Sequence, residues 1–170
     1  GFGQTHDLQL EEASGLIPDP DWLLQTRGES WTNAHSVNMA IGQGDVQVTP
    51  LQIAMMITAV ANGGTVYRPQ FVNKIGLLGE APSVTFTPEV IGHINLTPEQ
   101  LATIRESMYA VTSDPQLGTA EYRLGSLSER MPVAGKTGTA QVSGVNAPPI
   151  AWFAGFAPYE NPEIAVVIMV

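Results

Sequence analysis

Three strand-like segments near the C-terminal end of the chain constrain its fold more than any other feature. They span residues 133–142, 151–157 and 164–170, and short stretches rich in Gly, Asn and Pro separate them. Because parallel strands need a long crossover connection, strands joined this closely pair antiparallel. The pattern therefore predicts a three-stranded antiparallel meander, with residues 143–149 as a hairpin turn between the first two strands.

Two helices are indicated by a shared start signal. The segments that begin at Thr49 and Thr97 both read Thr-Pro-x-Gln, which combines a capping box with Pro in the first helical position. They predict helices over residues 50–62 and 98–111. The first is apolar on nearly every side, so we expect it to be buried. The second carries one apolar stripe and should direct Arg105 towards solvent.

The N-terminal part of the chain looks different from the rest. Residues 1–35 contain several Gly and Pro residues, so we expect an irregular segment that Trp22 and Trp31 anchor to a core. Antiparallel strands beside two helices place the fold in the α+β class. The chain begins with Gly1 rather than Met and ends within a strand pattern. We therefore expect residues 1–170 to be one partial domain that is truncated at both ends.

The composition excludes several functions. A formal net charge of −9 repels phosphate, which argues against a nucleic-acid partner. The chain has no Cys, so it has no disulfide, no thiolate nucleophile and no Cys-type zinc site. Its longest apolar run is far shorter than the roughly 20 residues of a membrane-spanning helix. No phosphate-binding loop and no H-E-x-x-H motif occurs, so we expect no metal and no cofactor.

A few other polar residues could carry chemistry. His6, His35 and His93 are widely spaced, and without a G-x-S-x-G motif the sequence gives little support for a Ser-His-Asp triad. Asp19 and Asp21 are more typical of a solvated turn than of a calcium loop, because no Gly and bidentate Glu follow at the required spacing. We therefore assign these five residues no catalytic or metal-binding role.

The strongest chemical signal lies in the first predicted strand, which contains Lys136-Thr137-Gly138-Thr139. Lys136 is one of only two lysines, and one interpretation is a solvated charge on an edge strand. The functional interpretation is a cradle for a peptide carboxylate. Lys136 would supply positive potential, Thr137 and Thr139 would donate hydrogen bonds, and Gly138 would allow close approach of a ligand backbone. The strand edge could then pair with an extended peptide.

At these residues the chain resembles a known family. The sequence Lys136-Thr137-Gly138, followed by Thr139-Ala140, is similar to the third motif of penicillin-binding proteins and serine β-lactamases, whose other motifs are S-x-x-K and S-x-N or S-D-N. Over nearly its whole length, the chain resembles class B penicillin-binding proteins of the elongation type. The other segments that carry the resemblance are residues 1–4, 15–18, 37–44 continuing to 48–52, and 151–157.

The resemblance implies a D-Ala-D-Ala transpeptidase domain that cross-links peptidoglycan and is acylated by β-lactams. Lys136 and Thr137 would hold the terminal carboxylate of the donor stem peptide or of a penicillin. Gly138 would keep the strand accessible, and Thr139 would lend its backbone N–H to the oxyanion hole, with its hydroxyl also near the carboxylate. The family further implies elongation-machinery partners and a place on the extracytoplasmic face of the bacterial plasma membrane, through an N-terminal anchor outside this chain.

One family motif is missing. The nucleophilic Ser should precede a Lys by three residues, but the residues three before Lys74 and Lys136 are Phe71 and Val133. Ser36-Val37-Asn38 spells S-x-N, but it lies inside the segment that resembles another part of the family, so we expect structural roles for it. The chain would then hold one wall of the site without the nucleophile, and we expect the isolated fragment to be inactive.

Two alternatives stay open at the level of sequence. A D,D-carboxypeptidase or a β-lactamase of the same fold shares the K-T-G motif and passes the acyl group to water instead of an amine. The segment from Gly42 to Gln52 favours the transpeptidase. A non-catalytic module that binds D-Ala-D-Ala peptides reversibly would also retain the cradle, so residues 136–139 do not by themselves distinguish an enzyme from a binding protein.

Overall fold

The computed structural model describes residues 1–8, 10–141 and 148–170. These residues form five helices and seven strands, so the predicted α+β class is confirmed. The helices are α1 (Pro20–Arg27), α2 (Asn33–Ala40), α3 (Pro50–Ala61), α4 (Pro98–Ser113) and α5 (Glu121–Ser128). The strands are β1 (Thr65–Tyr67), β2 (Lys74–Ile75), β3 (Val84–Thr85), β4 (Val90–His93), β5 (Ala134–Ala140), β6 (Ile150–Ala157) and β7 (Ile164–Met169).

The predicted meander is present as an antiparallel sheet of order β5–β6–β7. Gly135 lies opposite Gly155, and Ala154 lies opposite Val167. Most of the predicted hairpin turn, residues 143–147, and the last predicted strand residue, Val142, lie outside the described residues. Two small sheets, β1–β4 and β2–β3, were not expected. Strands of two to four residues are too short to show an alternating pattern.

Both predicted helix starts are confirmed. The hydroxyl of Thr49 accepts the N–H of Gln52 at 3.2 Å, and the Gln52 side chain accepts the N–H of Thr49 at 3.0 Å. Thr97 and Gln100 repeat this reciprocal pair at the start of α4. Gln52 is buried and also donates to the carbonyl of Ser14 at 2.8 Å. The cap of α3 therefore also attaches the N-terminal segment to the helix.

The core lies between one face of the large sheet and two helices. It joins Phe156 and Ala154 of β6 to Ile57 and Val60 of α3 and to Met108 of α4. The opposite face of the sheet leaves β7 side chains such as Ile164 exposed. No helix in the described part of the chain has the length and the apolar character needed to cross a membrane.

Two expectations about helix faces are wrong. α3 is not buried all round, since Met56 is 38% exposed while Ile57 and Val60 are buried, because its packing against β1, β6, β7 and α4 leaves part of its surface open. Arg105 does not point to solvent. Its guanidinium donates to the carbonyls of Ala61 and Tyr159 and lies over the rings of Phe156 and Tyr159. Sequence periodicity does not reveal these carbonyl partners, which come from distant segments.

The expectation of an irregular N-terminal segment over residues 1–35 holds for the described residues before Pro20 and is wrong for those that follow. This segment contains α1 and the start of α2. Asp19, which we assigned to a solvated turn, is the N-cap of α1 and accepts the N–H of Trp22 at 2.7 Å, and Gly28 ends the helix in the left-handed conformation. Both helices have only eight residues, which is too short for a clear helical period.

Candidate functional site

The strand β5 is an edge strand in the described part of the chain, and the register of the sheet shows which backbone groups face its open edge. Ala151 and Val170 exchange both backbone hydrogen bonds, at 2.9 and 3.0 Å, so the polar groups of Ala151 face β7. Its partner across the sheet, Thr139, therefore occupies a non-hydrogen-bonded position and directs its N–H and C=O away from β6. Thr137, two residues earlier, faces the same way.

The predicted cradle residues are together on this strand. Lys136, Gly138 and Thr139 are exposed, and Thr137 is half-buried. The Lys136 ammonium donates to the carbonyl oxygen of Thr137 at 2.6 Å, which brings its positive charge to the open edge. A carboxylate placed at this edge would meet an ammonium and the outward-facing backbone N–H groups of Thr137 and Thr139, whose hydroxyls belong to the same strand. These are the donors that strong charge-assisted hydrogen bonds require.

Two glycines of β5 occupy very different surroundings. A Cβ on Gly135 would clash with Cζ of Phe153, whose ring covers this point of the sheet. Among the described residues, a Cβ on Gly138 would meet only Cβ of Trp152, at 3.4 Å, which is ordinary van der Waals contact. Packing within the protein therefore explains Gly135 but not Gly138. A glycine at position 138 is consistent with space left for the backbone of a ligand.

Thr119 is a site residue that the sequence analysis missed. It lies in the connection between α4 and α5, and its Oγ1 is 2.8 Å from Oγ1 of Thr137. The Asp114 carboxylate shapes this connection by accepting the N–H groups of Gln116 at 2.8 Å and Leu117 at 3.0 Å. Both hydrogen bonds hold the pKa of Asp114 below its usual value, and the bond from Gln116 has the larger effect. No sequence pattern distinguishes Thr119 from other loop threonines.

Gln43 is a second residue that the sequence analysis left without a role. Its side-chain Nε2 donates to the carbonyl oxygen of Thr139 at 3.2 Å, across 96 positions of sequence. This contact joins the segment of residues 37–44, which supports the family resemblance, directly to the K-T-G strand. The sequence does contain a sign of this role, because Gln43 has a glycine on each side. Such a sequence often forms a tight turn that exposes the side chain between the glycines.

An open, polar cavity of about 370 Å³ lies beside Gln43. Its lining includes Arg27 and Asp45, which form an ion pair, and the tilted rings of Trp31 and His35, whose centroids are 5.3 Å apart. The cavity is formed by α1, α2 and the turn that follows α2.

The remaining candidates have local structural roles. His6 is buried with its ring 3.4 Å from Glu12. His35 accepts the N–H of Thr32 at 3.0 Å at the start of α2, and His93 is exposed in β4. Ser36 accepts the indole N–H of Trp31 at 2.8 Å. Within residues 1–8, 10–141 and 148–170, no three His, Asp or Glu side chains are arranged to hold a metal ion.

Comparison with known proteins gives consistent matches. The family model described as penicillin binding protein transpeptidase domain matches residues 1–170. The chain is 34% identical to the peptidoglycan D,D-transpeptidase MrdA of Acinetobacter baumannii, over 99% of the chain and 26% of that protein. It is 33% identical to the peptidoglycan D,D-transpeptidase PbpA of Mycolicibacterium smegmatis, over 95% of the chain and 33% of that protein.

Solved structures agree with these sequence matches. Pseudomonas aeruginosa PBP2 in complex with WCK 5153 is 37% identical with a TM-score of 0.81, and the match covers all of this chain and 36% of the other. The complex between PBP2 and MreC from Helicobacter pylori matches with a TM-score of 0.78 at 29% identity, over all of this chain and 30% of the other. The chain thus spans about a quarter to a third of the proteins it matches.

Proposed function

Since the chain belongs to the penicillin-binding protein transpeptidase domain family, we propose that it forms the K-T-G wall of a peptidoglycan D,D-transpeptidase. The observation that carries this proposal is the open edge of β5. The Lys136 ammonium lies against the carbonyl oxygen of Thr137 at this edge, and the backbone N–H of Thr139 faces the same edge. The Thr137 hydroxyl lies beside that of Thr119. Residues 1–170 are then one part of a larger transpeptidase domain.

In the proposed reaction, a serine hydroxyl outside this chain attacks the carbonyl carbon of the penultimate D-alanine of a donor stem peptide. The bond to the terminal D-alanine breaks, and the resulting acyl ester passes to an amine of a second stem peptide. Lys136 and Thr137 hold the terminal carboxylate while the donor peptide pairs with the edge of β5. This pairing places the carbonyl oxygen near the N–H of Thr139.

The N–H of Thr139 then stabilises the negative charge that develops on that oxygen. Removal of one such donor typically lowers a rate by about 10²–10³-fold. A β-lactam uses the same contacts, because it also carries a carboxylate close to its reactive carbonyl. The nucleophile comes from elsewhere in the protein, since neither Lys74 nor Lys136 follows a Ser at the required spacing.

We also propose a cellular setting. Peptidoglycan is assembled outside the plasma membrane, so the site works on the extracytoplasmic face of a bacterial plasma membrane. A segment outside this chain supplies the anchor. Proteins of the elongation machinery are the proposed partners, a proposal supported by the similarity to the PBP2 chain of the Helicobacter pylori complex with MreC.

The test is the intact mass of two polypeptides after incubation with excess benzylpenicillin. The full-length protein that contains this chain should gain one drug molecule, and residues 1–170 alone should gain none. A stable adduct on the isolated chain would show that a serine within it is the nucleophile, and Ser36 would be mapped first. Reversible binding of a D-Ala-D-Ala peptide without acylation of the full-length protein would favour the non-catalytic module instead.

Lys136→Ala tests the carboxylate contact, and the chain offers a matched control. Loss of one charge-assisted hydrogen bond should slow acylation of the full-length protein by about 10- to 100-fold. Lys74 is the other lysine of the chain and lies exposed in β2, away from the large sheet. Lys74→Ala should therefore leave acylation unchanged. Equal rates for both variants would remove Lys136 from the proposed site.

A further inference from the structure

We propose that Gln43 is a positioning residue for the oxyanion-hole backbone, a role that rests on the proposed function and deepens it. Its carboxamide holds the carbonyl of Thr139 at the open edge of β5. By doing so it keeps the N–H of Thr139 directed at the place where the reacting carbonyl oxygen will lie. Gln43 itself does not contact the reacting atoms in this role.

The backbone around Gln43 forms a tight turn. Gly42 and Gly44 both adopt the left-handed conformation, with φ of 71° and 78°. The N–H of Gln43 donates to the carbonyl of Asn38 at 2.8 Å, and the N–H of Gly42 donates to Met39 at 3.0 Å. Because residues with a Cβ rarely adopt positive φ, this turn depends on a glycine on each side of Gln43. The turn therefore sets the position and direction from which the Gln43 side chain extends.

The contact falls where β5 needs support. Thr139 is the second-last residue of the strand, and its polar backbone groups face away from β6, so no sheet hydrogen bond restrains them. In an extended strand, the N–H and C=O of one residue point to the same side. A donor that holds the carbonyl of Thr139 at the open edge consequently holds its N–H there as well.

This role also predicts which step of the reaction a substitution of Gln43 should slow. The carboxylate contacts of Lys136 and Thr137 do not involve Gln43, so initial binding of a β-lactam should not depend on it. Stabilisation of the developing oxyanion should depend on it, because small errors in the direction of an oxyanion donor reduce its effect. Substitution of Gln43 should lower the limiting rate of acylation and leave the concentration for half-maximal rate unchanged.

The experiment measures acylation of the full-length protein by a fluorescent penicillin over a range of concentrations. Gln43→Met keeps the length of the side chain and removes the donor. We expect its limiting rate to fall about three- to tenfold, the usual value of one hydrogen bond, with the half-maximal concentration unchanged within about twofold. Gln43→Glu replaces the donor with a carboxylate that repels the carbonyl, so its limiting rate should fall further than that of Gln43→Met.

Gln47→Met is the matched control, because Gln47 lies four residues later, is exposed, and bonds through its backbone to Leu16. It should behave as the unsubstituted protein. A packing role for Gln43 would make Met and Glu equally harmful or lower the thermal midpoint, and either result would overturn the proposal. A normal limiting rate for Gln43→Met would also overturn it while leaving the proposed function intact. An unsubstituted protein that is never acylated would overturn both.

Discussion

The two halves of β5 differ although they belong to one strand. Around Gly135 the strand is buried, and the ring of Phe153 leaves no room for a Cβ. From Lys136 to Thr139 the strand is largely exposed, and a Cβ on Gly138 would meet one atom of the described part of the chain, at ordinary contact distance. The buried half is thus specified by the packing of the protein. The exposed half has residues that this packing does not require, and they are consistent with the carboxylate cradle that we propose there.

The largest effect is expected from a substitution that removes a hydrogen-bond donor from the exposed half of β5. Thr139→Pro deletes the N–H of Thr139, and no sheet hydrogen bond is lost because this N–H faces the open edge. We expect acylation of the full-length protein by a fluorescent penicillin to fall by about 10²–10³-fold. Thr139→Ala retains the N–H and should cost far less. If both variants lost activity equally, the donor would be the hydroxyl or the strand itself.

The second prediction compares the glycines directly. Gly135→Ala should lower the free energy of unfolding by about 1–3 kcal/mol, because it forces overpacking against Phe153. Gly138→Ala should leave thermal unfolding unchanged and slow acylation by about tenfold or more, because its methyl group displaces the bound carboxylate and carbonyl. Unfolding and acylation measured on the same two preparations check both. The contrast between the halves would disappear if Gly138→Ala were fully active.

A smaller effect on acylation is expected from Thr119, which contacts the exposed half of β5 from the connection between α4 and α5. Thr119→Val removes the hydroxyl that lies 2.8 Å from the Thr137 hydroxyl and keeps the shape of the side chain. Loss of one hydrogen bond should slow acylation by about fivefold. Thr103→Val is the control, since its hydroxyl bonds only to the carbonyl of Glu99 on the exposed side of α4. The control should acylate at the normal rate.

The smallest predicted effect concerns pH. The pKa of Asp114 is lowered in the folded chain, first by the N–H of Gln116 and then by that of Leu117. A lowered pKa stabilises the fold above the unfolded value of about 3.9, and this contribution is lost as pH falls through the folded pKa. The thermal midpoint of the unsubstituted protein should exceed that of Asp114→Asn at neutral pH. The difference should shrink in acid, and a constant difference would contradict this account.

Local signals account for the parts of the fold that were predicted. The Thr-Pro-x-Gln motifs that start α3 and α4 form hydrogen bonds within four residues, so they can be recognised in the sequence. The meander follows from short connections between strand-like segments. The eight-residue helices α1 and α2 were missed because their period is too short to recognise. The carbonyl partners of Arg105 were missed because they lie 44 and 54 positions away.

The same division holds for the candidate site. The sequence by itself determined that Lys136, Thr137, Gly138 and Thr139 would share one strand, because adjacent residues of an extended segment cannot separate. Only the tertiary structure decided which backbone groups of that strand face outward, since this depends on the pairing of β6 with β7. It also decided that Gln43 and Thr119 meet the strand, because contacts between distant segments arise from packing, which no local pattern encodes.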